Sequence, residues 1–520
     1  MKPYQNIETW KISKPVVRSE NGLVSSQHYL ATEAGSQVLA AGGNAVDAAI
    51  ATGLALGIVE PWMSGLGGGG FMQFYDASRR EVYGLDFAMV APQGVNPADY
   101  PLVGGEGEAD TFNWPTVFED RHTQGPYSIA VPGLAAGMAE AHARWATKTW
   151  RELIEPSLAL AEFGLPIDWF ATQKIAHNAR PLRQYPTSAA VYLPDGLPPV
   201  APLNGEVMGL PLDALRKTYQ RLADVGPTDM YAGELASDIV ADSNEVRAQI
   251  AAADLEAYKA LPFDGEALAY RDAKIWAPIG LNAGPSLRRA LELLEAGWSA
   301  DADMPNGVAF AAYADALLVA YRERLERMGV GETSDPGATT HLGVVDNAGN
   351  IVTWTQTVMS AFGSRVVFPR TGLTMNNGMM WFDPRPHQPN SIRPGVRPLS
   401  NMCPTIVERA DGFRFAIGAC GGRRIFPSVF QLISFLVDYP MSLDDAIHHP
   451  RIDVSGTNAV AADNRLDGDV LSKLSERYDV MPVTHGIYPN RFALPNVVGQ
   501  TGSGEFVGGA FVYSPTALVG

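Results

Sequence analysis

The chain has 520 residues, and its 39 basic against 56 acidic side chains give a net charge of -17, which opposes nucleic acid or an anionic membrane as a main partner. Its two cysteines, Cys403 and Cys420, are too few for a disulfide framework and lack the CxxC spacing of zinc or redox sites. No apolar run follows a basic start, and the longest apolar stretch, 48–59, is broken by Thr52, Gly53 and Gly57 and is shorter than the roughly 20 residues of a membrane span, so a soluble, cytoplasmic protein is expected.

Residues 32–41 read as a short helix stopped by Gly42 and Gly43, after which Asn44 caps a second helix with Asp47 in its first turn. That second helix, 45–59, is apolar on every side, which predicts burial in the core. The run Ser64-Gly65-Leu66-Gly67-Gly68-Gly69-Gly70-Phe71 formally matches GxGxxG. A dinucleotide site, however, needs a strand before the glycines and a helix after them, so that phosphate meets a helix N-terminus. Here a helix precedes and 71–75 reads as a strand, so the glycines are expected to let backbone pass closely through the core or to line a site. Residues 81–86 suggest another strand, 92–125 a loop rich in Pro, Gly, Asp and Trp, and helices are expected up to about Trp145 and over 150–163. Residues 165–330 read as mostly helical with an acidic surface.

Residues 331–338 are small, polar and broken by Pro336 and Gly337, the marks of an exposed connector. Beyond it, 342–345 and 351–354 supply β-branched and aromatic residues on either side of the turn cluster Asp346-Asn347-Ala348-Gly349-Asn350, which predicts a β-hairpin. With Asn347-Ala348-Gly349 as a three-residue loop and Gly349 left-handed, Asp346 faces Asn350, Val345 faces Ile351 and Leu342 faces Trp354. Carried outward, that register sets Thr339 opposite Thr357, two hydroxyls within reach of each other. A threonine at the inner end of such a connector becomes a nucleophile when the bond before it is cut, because the freed α-amine is a general base for its own hydroxyl. A plain hairpin, in which threonines simply suit strands, accounts for the same residues.

Past the hairpin, 384–398 is a proline-rich loop carrying Arg385, Arg393 and Arg397, with the length of a lid over a site. A strand over 413–417 and a helix over 425–437 flank Cys420-Gly421-Gly422-Arg423-Arg424. Gly421 and Gly422 thus sit at a strand-to-helix turn, where free backbone N–H groups and the helix dipole favour negative charge, as an oxyanion hole requires. Tight turn geometry is the competing reason for two glycines there. His448-His449 has no third ligand near it, HExxH, P-loop and GxSxG patterns are absent, and no metal or cofactor is expected. Cys420 reads as a buried structural thiol, since no histidine base stands at a recognisable spacing.

Several of these stretches form a combined pattern: Gly42-Gly43-Asn44-Ala45-Val46-Asp47-Ala48-Ala49, Glu60-Pro61, the run from Ser64 to Phe71, Val131-Pro132-Gly133 and Glu152-Leu153-Ile154-Glu155-Pro156. The densest part comprises Thr339-Thr340-His341, Asn376-Asn377, Arg397-Pro398-Leu399-Ser400 and Cys420-Gly421-Gly422-Arg423-Arg424. Together, over nearly the full length, they resemble the γ-glutamyltranspeptidase family of N-terminal-nucleophile hydrolases. The resemblance implies an α+β fold, the four-layer αββα sandwich of that type. It also implies self-cleavage between Ala338 and Thr339 into a large subunit, 1–338, and a small one, 339–520, which together form one core. Thr339 matches the family's nucleophile, Thr357 the threonine hydrogen-bonded to it, Gly421 and Gly422 the oxyanion hole, and Ser400 the first of two serines near the substrate carboxylate.

The departures concern the substrate. Ala88 stands where the family has a carboxylate-clamping arginine, Trp381 where an acid receives the α-ammonium, Met359 where an asparagine follows the second threonine, and Asn401 in place of the second serine. A zwitterionic head would be left partly unpaired among them. The segment 377–384 looks like the branch that includes cephalosporin-acylase-like proteins and small-amide hydrolases such as oxamate amidohydrolase. The expectation is a self-processing threonine amidohydrolase whose partners are a small-molecule amide and its own two subunits, with no nucleic acid and no membrane; a higher oligomer stays open. Two alternatives remain. One is a true γ-glutamyl hydrolase or transpeptidase acting on glutathione-like substrates through replacement contacts, for which Arg365, Arg393, Arg397, Arg423 and Arg424 are candidates. The other is an inactive homologue that only binds.

Overall fold

The computed structural model describes residues 10, 12–103, 114–328, 338–455, 459–488 and 490–520. The connector expected over 331–338 therefore lies outside the described residues except for Ala338, as do the first nine residues and part of the loop expected over 92–125.

Two seven-stranded sheets form the centre of the molecule. The first runs, edge to edge, through Leu518–Val519, Leu23–Ser26, Ala338–Val345, Ile351–Met359, Gly69–Asp76, Glu81–Phe87 and Leu261–Asp264. The second runs through Val17–Ser19, Phe506–Ala510, Leu494–Gln500, Arg414–Cys420, Thr405–Glu408, Ala273–Trp276 and Ala267–Tyr270. Neighbouring strands pair antiparallel, as in Ala338–Val345 with Ile351–Met359 and Arg414–Cys420 with Leu494–Gln500.

Three apolar interfaces stack the layers. Helix Ala45–Val59 and its neighbours pack on Met72, Phe74, Leu85, Val344, Val352 and Trp354 of the first sheet. Leu23, Val345, Ile351, Ala416 and Val498 meet between the sheets. Phe415, Ile417 and Val497 of the second sheet pack against helices Gly284–Gly297, Gly307–Met328 and Ile425–Val437. A sheet covered on both faces has no solvent side, so both strands of the central hairpin are buried at every position.

Helix Ala45–Val59 starts where its cap chemistry places it. The Asn44 side chain accepts from Val46 and Asp47 N–H while Asp47 reaches back to the Asn44 N–H, and all 15 helical residues are buried. Strand Gly69–Asp76 follows the glycines as expected, and their lack of Cβ is what lets it pair. A Cβ on Gly70 would stand 2.3 Å from the Thr355 carbonyl oxygen, and one on Gly68 2.1 Å from that of Thr357. The region 165–330 is mostly helical, as the sequence implied, with strands that the sequence did not mark. It contains, besides helices, the strands Leu261–Asp264, Ala267–Tyr270 and Ala273–Trp276, which complete one edge of each sheet. Each has only 4 residues and the first is almost wholly exposed, so no local alternation marks them and sheet pairing alone defines them.

Candidate active site

The central hairpin turns at Asp346–Asn350, where Asp346 N–H bonds the Asn350 carbonyl at 3.0 Å and Gly349 takes φ +81°. Val345 faces Ile351 and Leu342 faces Trp354, and the ladder continues to Thr340 opposite Gln356. There it shifts by one residue, so that Ala338 faces Met359. The Thr339 and Thr357 hydroxyls lie 3.3 Å apart, with Thr339 donating. Thr357 Oγ1 in turn donates to the carbonyl oxygen of Ala338 and accepts the Met359 N–H at 2.8 Å. Its proton direction is thereby fixed: it receives from Thr339 and Met359 and gives to the carbonyl of the bond before Thr339.

Alternation along the strand puts Thr339, His341 and Gly343 on the face toward the second sheet. A Cβ on Gly343 would stand 3.8 Å from Ala416 Cβ, and one on Gly418 would strike the His341 ring at 2.2 Å. Moving back along one strand thus moves forward along the other, which brings Thr339 to the level of Cys420 and the Gly421–Gly422 turn. His341 is held by Thr355 Oγ1 at 2.9 Å and, through its carbonyl, by Asn496 Nδ2 at 3.0 Å. Burial pushes its imidazole down to about 3, so it is neutral and serves as packing between the sheets. Gly421 has φ +141° and Gly422 φ +60°, and a Cβ on Gly421 would lie 2.8 Å from Ala493 Cα. Helix Ile425–Val437 follows after one tight turn, so the backbone N–H groups here belong to a helix N-terminus. We expect Gly421→Ala to disrupt this turn, lowering turnover by at least about tenfold in a hydrolysis assay, because both left-handed backbone and space are refused to a side chain.

The four departures gather on one side of the hairpin. Ala88, Met359 and Trp381 share one apolar cluster with Met379, Met380 and Met402. The Ala88 segment is held by Ala88 N–H to Asp86 Oδ1 at 2.9 Å and by Tyr258 O–H to the Ala88 carbonyl at 2.7 Å. Ser400 and Asn401 are buried beside it, next in sequence to Met402. Cys420 and Cys403 are buried thiols pushed up to about 12 by burial, unsuited to nucleophilic work.

Four of the five arginines considered for a substrate carboxylate already have partners within the chain. Arg397 pairs with Asp86 at 3.2 Å and lies over the Tyr258 ring. Arg365 donates to the carbonyls of Thr123 and Gly363, and Arg393 to that of Pro389. Arg424 faces Asp453 at 3.9 Å; Arg423 is buried beside it, and the Tyr321 hydroxyl donates to its backbone carbonyl. In the proline-rich loop, Arg385 closes on Asp383 and lies over the Trp114 ring.

The family model for γ-glutamyltranspeptidase matches residues 31–332 and 326–509. The chain belongs to the γ-glutamyltranspeptidase family. It is 30% identical to the glutathione hydrolase proenzyme of Bacillus subtilis (strain 168), over 91% of this chain and 88% of that protein. It is 31% identical to the acylase ACY 1 proenzyme of Pseudomonas sp. (strain SE83), over 87% and 86%. The crystal structure of cephalosporin acylase from Bacillus halodurans matches with a TM-score of 0.84 at 21% identity, over 100% of this chain and 99% of that one, a likeness of fold. The α+β sandwich implied by the sequence is the fold observed.

In this γ-glutamyltranspeptidase-family chain, two groups whose motifs carried the resemblance, but to which the sequence assigned no role, brace the hairpin around the site. Asn377 ties the hairpin to the following loop, accepting Ser360 N–H at 2.9 Å and donating to Ser360 Oγ and the Thr123 carbonyl. Glu60, at the end of the buried helix, accepts from Thr340 Oγ1 at 3.1 Å on the face of the strand opposite Thr339. An acid directly after a wholly apolar helix was the available signal. Burial pushes the Glu60 carboxyl from 4.5 up to about 7, against the opposing pull of Thr340 and Lys174. A folded-state value above the unfolded one means that its contribution to stability is full below about pH 4.5 and is lost as pH rises through about 7, a loss of about 3 kcal/mol. Denaturant titrations of Glu60→Gln should therefore show a flatter fall of unfolding free energy across that window; an identical slope would refute it.

Proposed function

We propose that the chain is a self-processing amide hydrolase with Thr339 as nucleophile, dividing into residues 1–338 and 339–520. The observation that carries this reading is the Thr357 hydroxyl, which bridges Thr339 Oγ1 and the Ala338 carbonyl oxygen. In the uncut chain Thr339 Oγ attacks the Ala338 carbonyl carbon, Thr357 steadies the oxygen as charge develops, and the C–N bond breaks as the amine takes up a proton. Water then hydrolyses the resulting ester, leaving a carboxylate on Ala338 and a free α-amine on Thr339.

That amine serves as the base for the next nucleophilic step. It takes the Thr339 hydroxyl proton as Oγ attacks a substrate amide, and backbone N–H groups of Gly421 and Gly422 hold the oxyanion. The proton passes to the leaving amine, an acyl-threonine remains, and water or an amine acceptor releases the acyl group. Ser400 and Asn401 are assigned to the acyl part of the substrate. Its relatives include both a glutathione hydrolase and an acylase. The apolar surroundings of Ala88, Met359 and Trp381 favour a small amide without an α-ammonium, since a γ-glutamyl head would leave its charge unpaired there.

Intact mass followed by assays on γ-glutamyl-p-nitroanilide, a glutaryl amide and oxamate tests this. Two masses dividing at Ala338–Thr339, with γ-glutamyl turnover at least about 100-fold below that of another amide, are expected. Preferred γ-glutamyl turnover would overturn the substrate reading, and a single intact mass with no turnover would overturn the enzymatic one.

A further inference from the structure

Arg324 lies near the end of helix Gly307–Met328 and is 4% exposed. Its Nη1 donates to the Asn282 carbonyl at 2.7 Å and to Ser286 Oγ at 3.4 Å. Its Nη2 donates to the Ser400 carbonyl and to Asn401 Oδ1, the latter at 3.1 Å. These acceptors are all neutral, and among the described residues no carboxylate forms an ion pair with it. Burial pushes its guanidinium down to about 10, which still leaves it charged at neutral pH.

A guanidinium carries donors only, so whatever it touches must accept. The Asn401 carboxamide is accordingly held with Oδ1 toward Arg324 and its nitrogen turned away. The backbone of the same segment is pinned by Ser400 N–H to the Leu281 carbonyl at 3.0 Å and by Ala283 N–H to the Met402 carbonyl at 3.1 Å. Asn390 adds a link toward the apolar cluster, accepting Leu399 N–H at 3.0 Å and donating to the Trp381 carbonyl at 2.6 Å. In this frame the Ser400 hydroxyl is fully buried and, among the described residues, has no hydrogen-bond partner. An unsatisfied buried hydroxyl carries a desolvation penalty that a ligand oxygen would remove.

We propose that Arg324 is the positioning residue of the acyl-side subsite: it holds the Ser400 backbone by its carbonyl, turns the Asn401 amide nitrogen outward as a donor, and backs both with an uncompensated positive charge, selecting an anionic oxygen on the substrate. The proposal rests on the hydrolase reading above. Arg324 and Asn282 belong to the 1–338 portion and Ser400 and Asn401 to 339–520, so the staple joins the two pieces after the cut.

The test compares wild type, Arg324→Gln and Arg324→Lys, each first weighed by intact mass and melted. Binding of glutarate and of butyrate is measured by calorimetry, and KM and kcat on glutaryl- and butyryl-p-nitroanilide. In Arg324→Gln, glutarate affinity should fall and the glutaryl KM should rise by about 10- to 100-fold, with kcat and all butyryl parameters within about threefold of wild type. Arg324→Lys should recover part of the loss. Equal losses on both ligands, or a loss confined to kcat, would show a merely structural role and overturn the proposal. If Arg324→Gln does not fold, Arg324→Lys decides: a glutaryl-selective rise in KM supports the subsite, and unchanged selectivity overturns it. Failure of the wild type to cut itself or to hydrolyse either anilide strikes the hydrolase reading instead, and the glutarate-against-butyrate difference still reads Arg324 by itself.

Discussion

Thr339→Ala should leave one uncut chain of 55.8 kDa by intact mass and reduce amide hydrolysis by about a million-fold. No neighbouring hydroxyl replaces the missing one. Thr340 points to the other face of the strand, where it bonds Glu60, and the Thr357 hydroxyl is already committed to the Ala338 carbonyl and to Met359 N–H. Thr339→Ser keeps a hydroxyl at the same carbon and should still divide. Normal division of Thr339→Ala would refute the nucleophile assignment outright.

Thr357→Val should slow division by about 100- to 1,000-fold, the usual cost of about 2.7–4 kcal/mol for removing one donor from a developing oxyanion. Valine keeps the shape and the β-propensity, so the hairpin is preserved while the donor to the Ala338 carbonyl is lost. The Met359 N–H also loses its acceptor, a cost of about 1–3 kcal/mol expressed as a lowered melting temperature. Thr357→Ser should divide close to normally. A time course on denaturing gels compares both variants with wild type, and a wild-type rate in Thr357→Val would remove the hydroxyl bridge from the mechanism.

What could be read along the chain was local. The capped helix Ala45–Val59, the Gly349 turn, the pairing of Val345 with Ile351 and the strand-to-helix turn at Gly421–Gly422 each follow from residues within a few positions of one another. The one-residue shift beyond Thr340 did not, because a bulge at a strand end depends on what packs around it. The short strands between Leu261 and Trp276 were hidden for a related reason: each is stable only because a sheet offers it an edge.

The amino-acid sequence by itself determined the family, the threonine and glycine motifs, and the exchange of arginine, acid and asparagine for Ala88, Trp381 and Met359. Only the tertiary structure decided that those three pack in one apolar cluster, that Arg365, Arg393, Arg397 and Arg424 already have partners within the chain, and that Arg324 stands behind Ser400 and Asn401. The physical reason is that motif and turn chemistry act over a few residues. The partners of a buried charge are whichever groups the packed layers bring to it, here from segments more than seventy residues apart.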